Sequence, residues 1–384
     1  MAVILALLLV DFLLTSALSW LNLAYLKRRA GEPLPPEWAA LLNVSQFPRM
    51  VAYREASTWL SQGARLAELA ATLAILLSGL LPALARWAAT LPAAPALQGL
   101  AVLAVLGGIS YLVGLPWSLL ADFGVERKFG FGTITWKTWL TDQIKALLLA
   151  LLLGAPLAGG LLLLMERLGE TWWLPAWGLV TLFQLGVAYI APVFILPLFN
   201  KFEPLRDEAL REEVFALARK ARFPLRGVFQ VNASLRSTHV NAYFTGFGRS
   251  RRIALFDTLL EQLSGPQILA VLAHEIGHWK KRHTLKGMAE GILLSGTALA
   301  AAAWVLDHPW VYEAVGLGAC IAPWGPWGRW RRRGSSSSGS WPPPWGFCWH
   351  RLSTGSPAAE NTRLMPFRWN SATIPPPWRR GSFV

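Results

Sequence analysis

Residues 267–306 read QILAVLAHEIGHWKKRHTLKGMAEGILLSGTALAAAAWVL and join a metal-binding motif directly to an apolar stretch. The motif is HEIGH, from His274 to His278, and residues four apart share one face of a helix. Both imidazoles can therefore hold one Zn²⁺ ion, with Glu275 placed to take a proton from the attacking water. Two histidines at this spacing also fit a solvated helix face, so the surrounding sequence has to decide.

Apolar segments of about 20 residues, each long enough to cross a bilayer as a helix, dominate the rest of the chain. Five precede residue 200 and one follows the motif: residues 2–26, 66–85, 100–121, 146–165, 173–199 and 285–306. Charged side chains make up 15% of the 384 residues, against about 25% in soluble domains. A soluble protein would need an unusually large core to bury six such segments. We therefore expect a multi-pass membrane protein.

Residues 200–282 form the one long polar region. Apolar residues recur at helical spacing over 208–218, which predicts an amphipathic helix. Residues 227–231 and 252–256 are short β-prone runs bounded by turn residues, and 242–248 is a third. The sequence thus predicts a small α+β insertion between the fifth and sixth membrane helices.

Five motifs follow one another in order along the chain. They are LADFGVERKFGFGTITWKTWLTDQIKA (120–146), APVFILPLFNKFEPL (191–205), FPLRGVFQVNASLRSTHVNAYFTGFG (223–248), RRIALFDTLL (251–260) and the HEIGH helix. Together, over about residues 50–310, the chain resembles the type I CAAX prenyl protease family of integral-membrane zinc metalloproteases. The resemblance implies an all-α polytopic fold of seven membrane helices around a water-filled chamber, with a small α+β insertion and one catalytic Zn²⁺.

The resemblance also implies roles for individual residues. His274 and His278 would be the zinc ligands, Glu275 the general base, and Asn241 and His239 substrate-binding residues. Without the family, the sequence favours a turn or an edge-strand pair over a binding site for His239 and Asn241. The expected partners are a peptide or protein substrate inside the chamber and the membrane lipids, with no nucleic acid.

A third zinc ligand is implied as well, the first Glu of an E-x-x-A-D motif on a later helix, and no residue after His278 matches it. The acids available there are Glu290, Asp307, Glu313 and Glu360. Glu290 is expected about three turns along the same helical rod as the motif, where it cannot fold back. We therefore expect the site to be incomplete and the chain to be inactive as written.

The composition of the C-terminal segment suggests a cause. Residues 319–384 carry nine arginines, no lysine, a single acid, both cysteines and eight of the 21 tryptophans. In one shifted reading frame, their codons permit a Leu- and Ala-rich helix followed by S-R-x-x-E-x-x-A-D-x-F. We interpret this as a frameshift near residues 318–326 that removes a seventh helix and the third ligand. The alternative is a genuine basic, Trp-rich extension that binds anionic lipid headgroups, a partner, or nucleic acid by phosphate neutralisation.

These patterns divide the chain into an N-terminal transmembrane domain (1–199), a metallopeptidase region with the sixth span (200–310) and an aberrant tail (311–384). The predicted function is hydrolysis of peptide bonds in a membrane-embedded chamber, for CAAX-type processing or for membrane protein quality control. One alternative is a catalytically dead membrane protein. Another is a channel or transporter, but that function would not explain the HEIGH motif. A body without cysteine and rich in Ala and Leu indicates a prokaryotic inner membrane.

Overall fold

The computed structural model describes residues 1–32, 47–245 and 251–317. Within them, six helices are long and apolar enough to cross a membrane: Ala2–Ala30, Phe47–Leu77, Pro95–Lys128, Trp136–Thr171, Trp173–Phe199 and His283–Leu306. Their outer faces expose large apolar side chains, such as Leu152 (69% exposed) and Leu182 (71%). Such an apolar surface is unfavourable in water and fits contact with lipid. The predicted all-α polytopic architecture with a small sheet insertion is confirmed. The predicted seventh helix and frameshifted segment lie outside the described residues.

In the part of the chain that the structure describes, seven α-helices of ten or more residues lie between Ala2 and Ile190. They are α1 (Ala2–Ala30), α2 (Phe47–Leu77), α3 (Leu80–Ala89), α4 (Pro95–Leu119), α5 (Trp136–Leu149), α6 (Ala155–Leu168) and α7 (Trp173–Ile190). The second span was predicted at residues 66–85, but α2 begins earlier and ends before Gly79. Gly79 adopts φ 76°, a left-handed conformation that glycine tolerates and that breaks the helix there. The apolar run alone could not reveal the polar first half of α2.

Three of the membrane helices continue through a π-helical turn. These turns are Leu120–Val125 after α4, Ala150–Gly154 after α5 and Ala191–Ile195 after α7. Such turns are rare and are enriched at functional sites. The third one contains Pro192, which cannot donate a backbone hydrogen bond to the helix. This turn lies beside the candidate site described below.

The insertion contains a four-stranded sheet. Its strands are β1 (Phe202–Pro204), β2 (Leu225–Val231), β3 (Ala242–Thr245) and β4 (Arg251–Phe256), in the spatial order β1-β2-β4-β3. β2 and β4 pair in parallel, whereas β1 and β3 run antiparallel to their neighbours. The last three strands fall where the sequence predicts them. β1 was not predicted, because three residues that end in a proline carry no strand pattern.

The helices of the C-terminal half are α8 (Glu208–Lys220), α9 (Asp257–Gln262), α10 (Gly265–Lys280), α11 (His283–Leu306) and α12 (Pro309–Ala314). α8 confirms the predicted amphipathic helix, and the Oδ1 of Asp207 caps it by accepting from the backbone N–H of Leu210 at 2.9 Å. α8 and α10 cover one face of the sheet. The core between these helices and the sheet is formed by apolar side chains of α8, α9, α10, the strands β2, β3 and β4, and the segment after β1: Leu205, Leu210, Val214, Val228, Ala242, Ile253, Leu255, Leu259, Ile268 and Leu272.

A partly buried ion pair fastens the insertion to the membrane helices. The Nε of Arg236 donates to Asp142 Oδ2 at 2.7 Å and its Nη2 donates to Asp142 Oδ1 at 3.0 Å. Arg236 also donates through Nη1 to the amide oxygen of Asn200 at 3.2 Å. Asp142 lies on α5, and Arg236 lies between β2 and β3. The loop that leads into β3 is therefore fixed relative to the membrane helices.

Candidate metal centre and substrate cavity

The helix α10 presents two histidines on the side opposite its buried face. Ile268, Leu272 and Ile276 lie four residues apart and are buried, so His274 and His278 point the other way and are exposed. Their Nε2 atoms are 3.0 Å apart. Two imidazoles bound to one tetrahedral zinc at about 2.0–2.1 Å hold their nitrogens roughly 3.3 Å apart. The two nitrogen donors therefore fit one zinc ion.

The helix ends two residues after the second histidine. α10 stops at Lys280, and Arg282 adopts φ 57° and ψ 33° before α11 begins at His283. The prediction of one continuous rod from the motif to Glu290 is wrong, because a left-handed residue separates two helices. Arginine pays a steric penalty in this conformation that glycine avoids. The break must therefore be held in place by its surroundings.

The break brings a third histidine, His283, against the motif. The Nδ1 of His283 lies 2.9 Å from the Nδ1 of His278. On an unbroken helix, residues five apart point about 140° away from each other, so only the turn at Arg282 allows this contact. His283 was not among the site residues predicted from the sequence. The one signal was its presence at the end of HWKKRH, just before the apolar run.

A cavity of about 1160 Å³ opens beside the motif, between the membrane helices and the insertion. Glu275 and His278 face into it. The membrane side contributes the end of α7, its π turn and the start of α11, through Ala188, Ala191, Pro192, Leu196, Thr284 and Leu285. The insertion contributes Tyr243 and Phe244 of β3. A bound molecule would therefore contact an apolar membrane wall and the sheet edge together.

Positive charge dominates the polar part of this wall. Five cations line the cavity, and Glu275 is the one acid among the described residues that do so. We call the five the cationic rim: Lys220, Arg222, Arg251, Lys280 and Arg282. Within the described parts of the chain, none of the five forms a salt bridge with a carboxylate. Their charge is therefore available to an anionic ligand.

The backbone and the packing hold the rim in place. Arg222 (φ 55°) and Arg282 (φ 57°) are the two non-glycine residues with positive φ in the described residues, and both belong to the rim. Strained backbone of this kind collects at binding and catalytic sites. Arg251 packs its guanidinium 4.9 Å from the centre of the Trp279 ring. Burial lowers the pKa of Arg251 and raises the pKa of Tyr243, which faces the same space.

His239 lies at the junction with the membrane helices and is not one of the cavity-lining residues. Its Nε2 is 3.1 Å from Glu126 Oε2, and its ring stacks on Phe131 with 4.4 Å between ring centres. The hydroxyl of Tyr53 donates to the other oxygen of Glu126 at 2.7 Å. The backbone oxygen of His239 accepts from the hydroxyl of Thr258. His239 is thus held by Glu126, Phe131 and Thr258, and Tyr53 in turn holds Glu126.

Asn241 stands exposed at the start of β3. Its Oδ1 accepts from the backbone N–H of Ala242 at 2.8 Å, and its own backbone oxygen accepts from Phe256 at 3.1 Å. It is absent from the residues that line the cavity, although Tyr243, two positions later, is among them. The structure therefore brings His274, Glu275 and His278 together on α10. It places Asn241 directly before the first residue of β3, outside the cavity lining.

A third metal ligand is not found in the part of the chain that the structure describes. No group of three His, Cys, Asp or Glu side chains within residues 1–32, 47–245 and 251–317 is arranged to hold a metal ion. Glu360, together with the shifted-frame ligand motif, lies outside the described residues. Two imidazoles suit zinc, and a catalytic site needs one more protein ligand.

Comparison with protein families and solved structures decides the family. Residues 23–201 match the CAAX prenyl protease N-terminal region of five membrane helices, and residues 204–315 match peptidase family M48. The crystal structure of S. mikatae Ste24p superposes with a TM-score of 0.70 at 35% identity, covering 77% of this chain and 70% of that one. The chain belongs to the CAAX prenyl protease family of M48 peptidases. The resemblance inferred from the sequence motifs is confirmed.

Curated relatives come from fungi, plants and animals. CAAX prenyl protease 1 of Saccharomyces cerevisiae is 44% identical over 48% of this chain and 41% of its own length. The homologue of Arabidopsis thaliana is 34% identical over 69% of this chain and 65% of its own. The human homologue is 32% identical over 66% of this chain and 63% of its own. The chain thus spans about two fifths to two thirds of the length of these relatives.

These relatives correct the predicted location. All three are eukaryotic, so the prediction of a prokaryotic inner membrane is wrong. That prediction rested on the cysteine-free body and its high Ala and Leu content. Both features follow from a body composed largely of apolar membrane helices, and neither indicates the organism. The prediction of a multi-pass membrane protein is supported by the six candidate spans.

Proposed function

We propose that this family member is a membrane-embedded zinc endopeptidase that hydrolyses peptide bonds in the cavity beside His278. His274 and His278 would hold the metal, and Glu275 would act as the general base. The observation that carries the proposal is the 3.0 Å approach of the two Nε2 atoms at a cavity that Glu275 also faces. Zinc, when bound, would polarise the peptide carbonyl and make the attacking water more acidic.

Glu275 would act first as a general base and then as a general acid. Its half-buried carboxylate would accept a proton from water as the oxygen attacks the peptide carbon. The same carboxyl group would then give that proton to the nitrogen of the leaving group. The C–N bond breaks, and the products are a carboxylate and an amine. Because Glu275 adjoins His274 on one helix, the base and the metal site move as one unit.

The edge strand β3 is suited to hold the substrate backbone. β3 is at the end of the sheet order, its residues Tyr243 and Phe244 line the cavity, and it packs against α10. An extended peptide can add to such an edge through main-chain hydrogen bonds. Asn241, exposed at the start of β3, would extend this binding surface. His239 would act further away, by fixing the start of the strand through Glu126.

The cationic rim favours a substrate with a negative charge near the scissile bond. Five cations beside one carboxylate base create a field that attracts anions. The carboxyl terminus of a peptide is the anion that every protein substrate carries. We therefore favour processing close to a carboxyl terminus, as in CAAX-type cleavage, over quality-control cleavage within misfolded membrane proteins. The apolar wall supplied by the membrane helices would also suit the lipid group of a modified substrate.

Peptide binding to the purified full chain in lipid nanodiscs tests this choice. Two peptides of one sequence are compared, one with a free carboxyl terminus and one with an amide. We expect the free acid to bind about three- to tenfold more tightly, and Arg222→Gln to reduce that preference. Arg226→Gln is the matched control, since Arg226 is an exposed arginine nearby that does not line the cavity. Equal affinities for the two peptides would contradict the carboxyl-terminal preference.

A catalytically inactive membrane protein is the second candidate. It is favoured by the absence of a third metal ligand among the described residues. On this view the chain as written holds zinc through two histidines only, and its basic C-terminal segment binds lipid or a partner. Zinc stoichiometry and chelator-sensitive proteolysis, measured for this chain and for one with the shifted frame restored, separate the two candidates.

A further inference from the structure

We propose that His283 is a positioning residue for the metal centre, which holds the ring of His278 in the tautomer and orientation that metal binding needs. The inference rests on the proposed function, because it takes His274 and His278 as the metal ligands. The observation behind it is the contact between the Nδ1 atoms of His278 and His283, which lie 2.9 Å apart.

The two ring nitrogens of His278 face different partners. Nε2 points at Nε2 of His274, 3.0 Å away, which is the side where one metal ion would sit. Nδ1 points at His283. When Nε2 of His278 binds a metal, its proton must be on Nδ1, so Nδ1 becomes a donor that needs an acceptor. The unprotonated Nδ1 of His283 is that acceptor.

His283 is not itself placed as a third ligand. It contacts His278 on the side of the ring away from the Nε2 pair, and no three-residue metal group is found among the described residues. Histidine ligands of metals commonly donate their second nitrogen to an acceptor, which fixes the ring and makes the ligand more basic. A carboxylate or a carbonyl oxygen usually supplies the acceptor, whereas here it is an imidazole.

The backbone is built to make this contact. The left-handed conformation of Arg282 ends α10 and turns the chain so that His283 returns to His278. A non-glycine residue rarely adopts this conformation, because its Cβ comes too close to the following carbonyl oxygen. The first residue of α11 therefore supports the metal helix and also starts the next membrane span. A shift of α11 would change the position of His283 and, through it, of His278.

The test is zinc affinity of the full chain in detergent, measured by competition with a chelating dye. We expect His283→Ala to weaken zinc binding by about 10- to 100-fold. His283→Asn should stay within about threefold of the original, because the asparagine oxygen can take the place of the Nδ1 acceptor. His308→Ala is the control, since His308 contacts Trp304 on the far end of α11 and should leave the affinity unchanged.

The outcomes separate this inference from the proposed function. Unchanged zinc affinity in His283→Ala, or an equal loss in His283→Asn, overturns the positioning role. If His278→Ala also leaves zinc binding unchanged, the metal assignment fails and this inference fails with it. A Co²⁺-loaded sample adds a readout that folding alone does not move, because the visible spectrum reports ligand geometry. We expect the spectrum to shift in His283→Ala and to recover in His283→Asn.

Discussion

Arg236 donates two hydrogen bonds, of 2.7 and 3.0 Å, to the carboxylate of Asp142, and the two side chains are only 24% and 20% exposed. This pair joins the loop before β3 to the membrane helix α5. Charged hydrogen bonds that are shielded from water contribute more than those on an open surface. The position of the edge strand beside the cavity therefore depends on this contact.

Replacing Arg236 by Ala should lower the free energy of unfolding by about 1.5–3 kcal/mol, because Asp142 would keep a partly buried charge without its partner. The matched change is Arg206→Ala, which breaks the pair with Glu203 at a position where the arginine is 80% exposed. That change should cost less than about 1 kcal/mol. Thermal unfolding in detergent checks both. Equal losses in the two variants would contradict the anchoring role of Arg236.

The contact of α11 with α7 gives a second prediction. Trp177 on α7 donates its indole N–H to the backbone oxygen of Ile292 at 2.8 Å, and a Cβ on Gly296 would lie 2.9 Å from that ring. Gly296→Ala should therefore displace the indole and destabilise the protein by about 1–3 kcal/mol. Gly291→Ala on the same helix meets nothing within 4 Å and should be neutral or stabilising by less than about 1 kcal/mol. Unfolding temperatures that fall equally would refute this packing.

The cationic rim predicts a salt dependence. Raising the NaCl concentration from about 50 mM to about 500 mM should weaken binding of a peptide with a free carboxyl terminus, because salt screens its attraction to exposed cations. Binding of the amidated peptide should change much less. Isothermal titration in nanodiscs at the two salt concentrations measures the difference. An equal response of both peptides would mean that the rim does not recognise the carboxylate.

The C-terminal segment gives a prediction at the level of the gene. We expect the DNA near codons 318–326 to show a shifted frame, and the restored chain to bind zinc markedly more tightly than the chain as written, because a carboxylate ligand is added. An intact frame in several independent clones would contradict the frameshift.

Peptide hydrolysis by the restored chain should be lost in Glu275→Gln, and activity that survives this change would refute the role of Glu275 as base.

Much of the fold could be predicted from the sequence because its main determinants are local. Apolar length marks the six spans, and alternating and helical patterns mark β2, β3, β4 and α8. The HEIGH spacing alone predicts that His274 and His278 share a face, and their Nε2 atoms lie 3.0 Å apart. These features depend on residues close together in the chain.

The features that the sequence did not reveal depend on contacts between distant residues or on unusual backbone. The helix break at Arg282 has no proline or glycine to mark it, so the motif and Glu290 were predicted on one rod. The contact of His283 with His278 follows from that break. The junction of His239 with Glu126 joins residues 113 positions apart. No local pattern carries such information, so His239 was assigned to the substrate on family resemblance alone.

Zinc affinity of the full chain and of its motif variants is the decisive measurement. We expect His274→Ala and His278→Ala each to abolish specific zinc binding and Glu275→Gln to retain it, because the two imidazoles hold the metal and the carboxylate acts on water. Circular dichroism shows whether the helices persist in each variant. Zinc binding that survives both histidine changes in folded protein would contradict the assignment of this site as the metal centre.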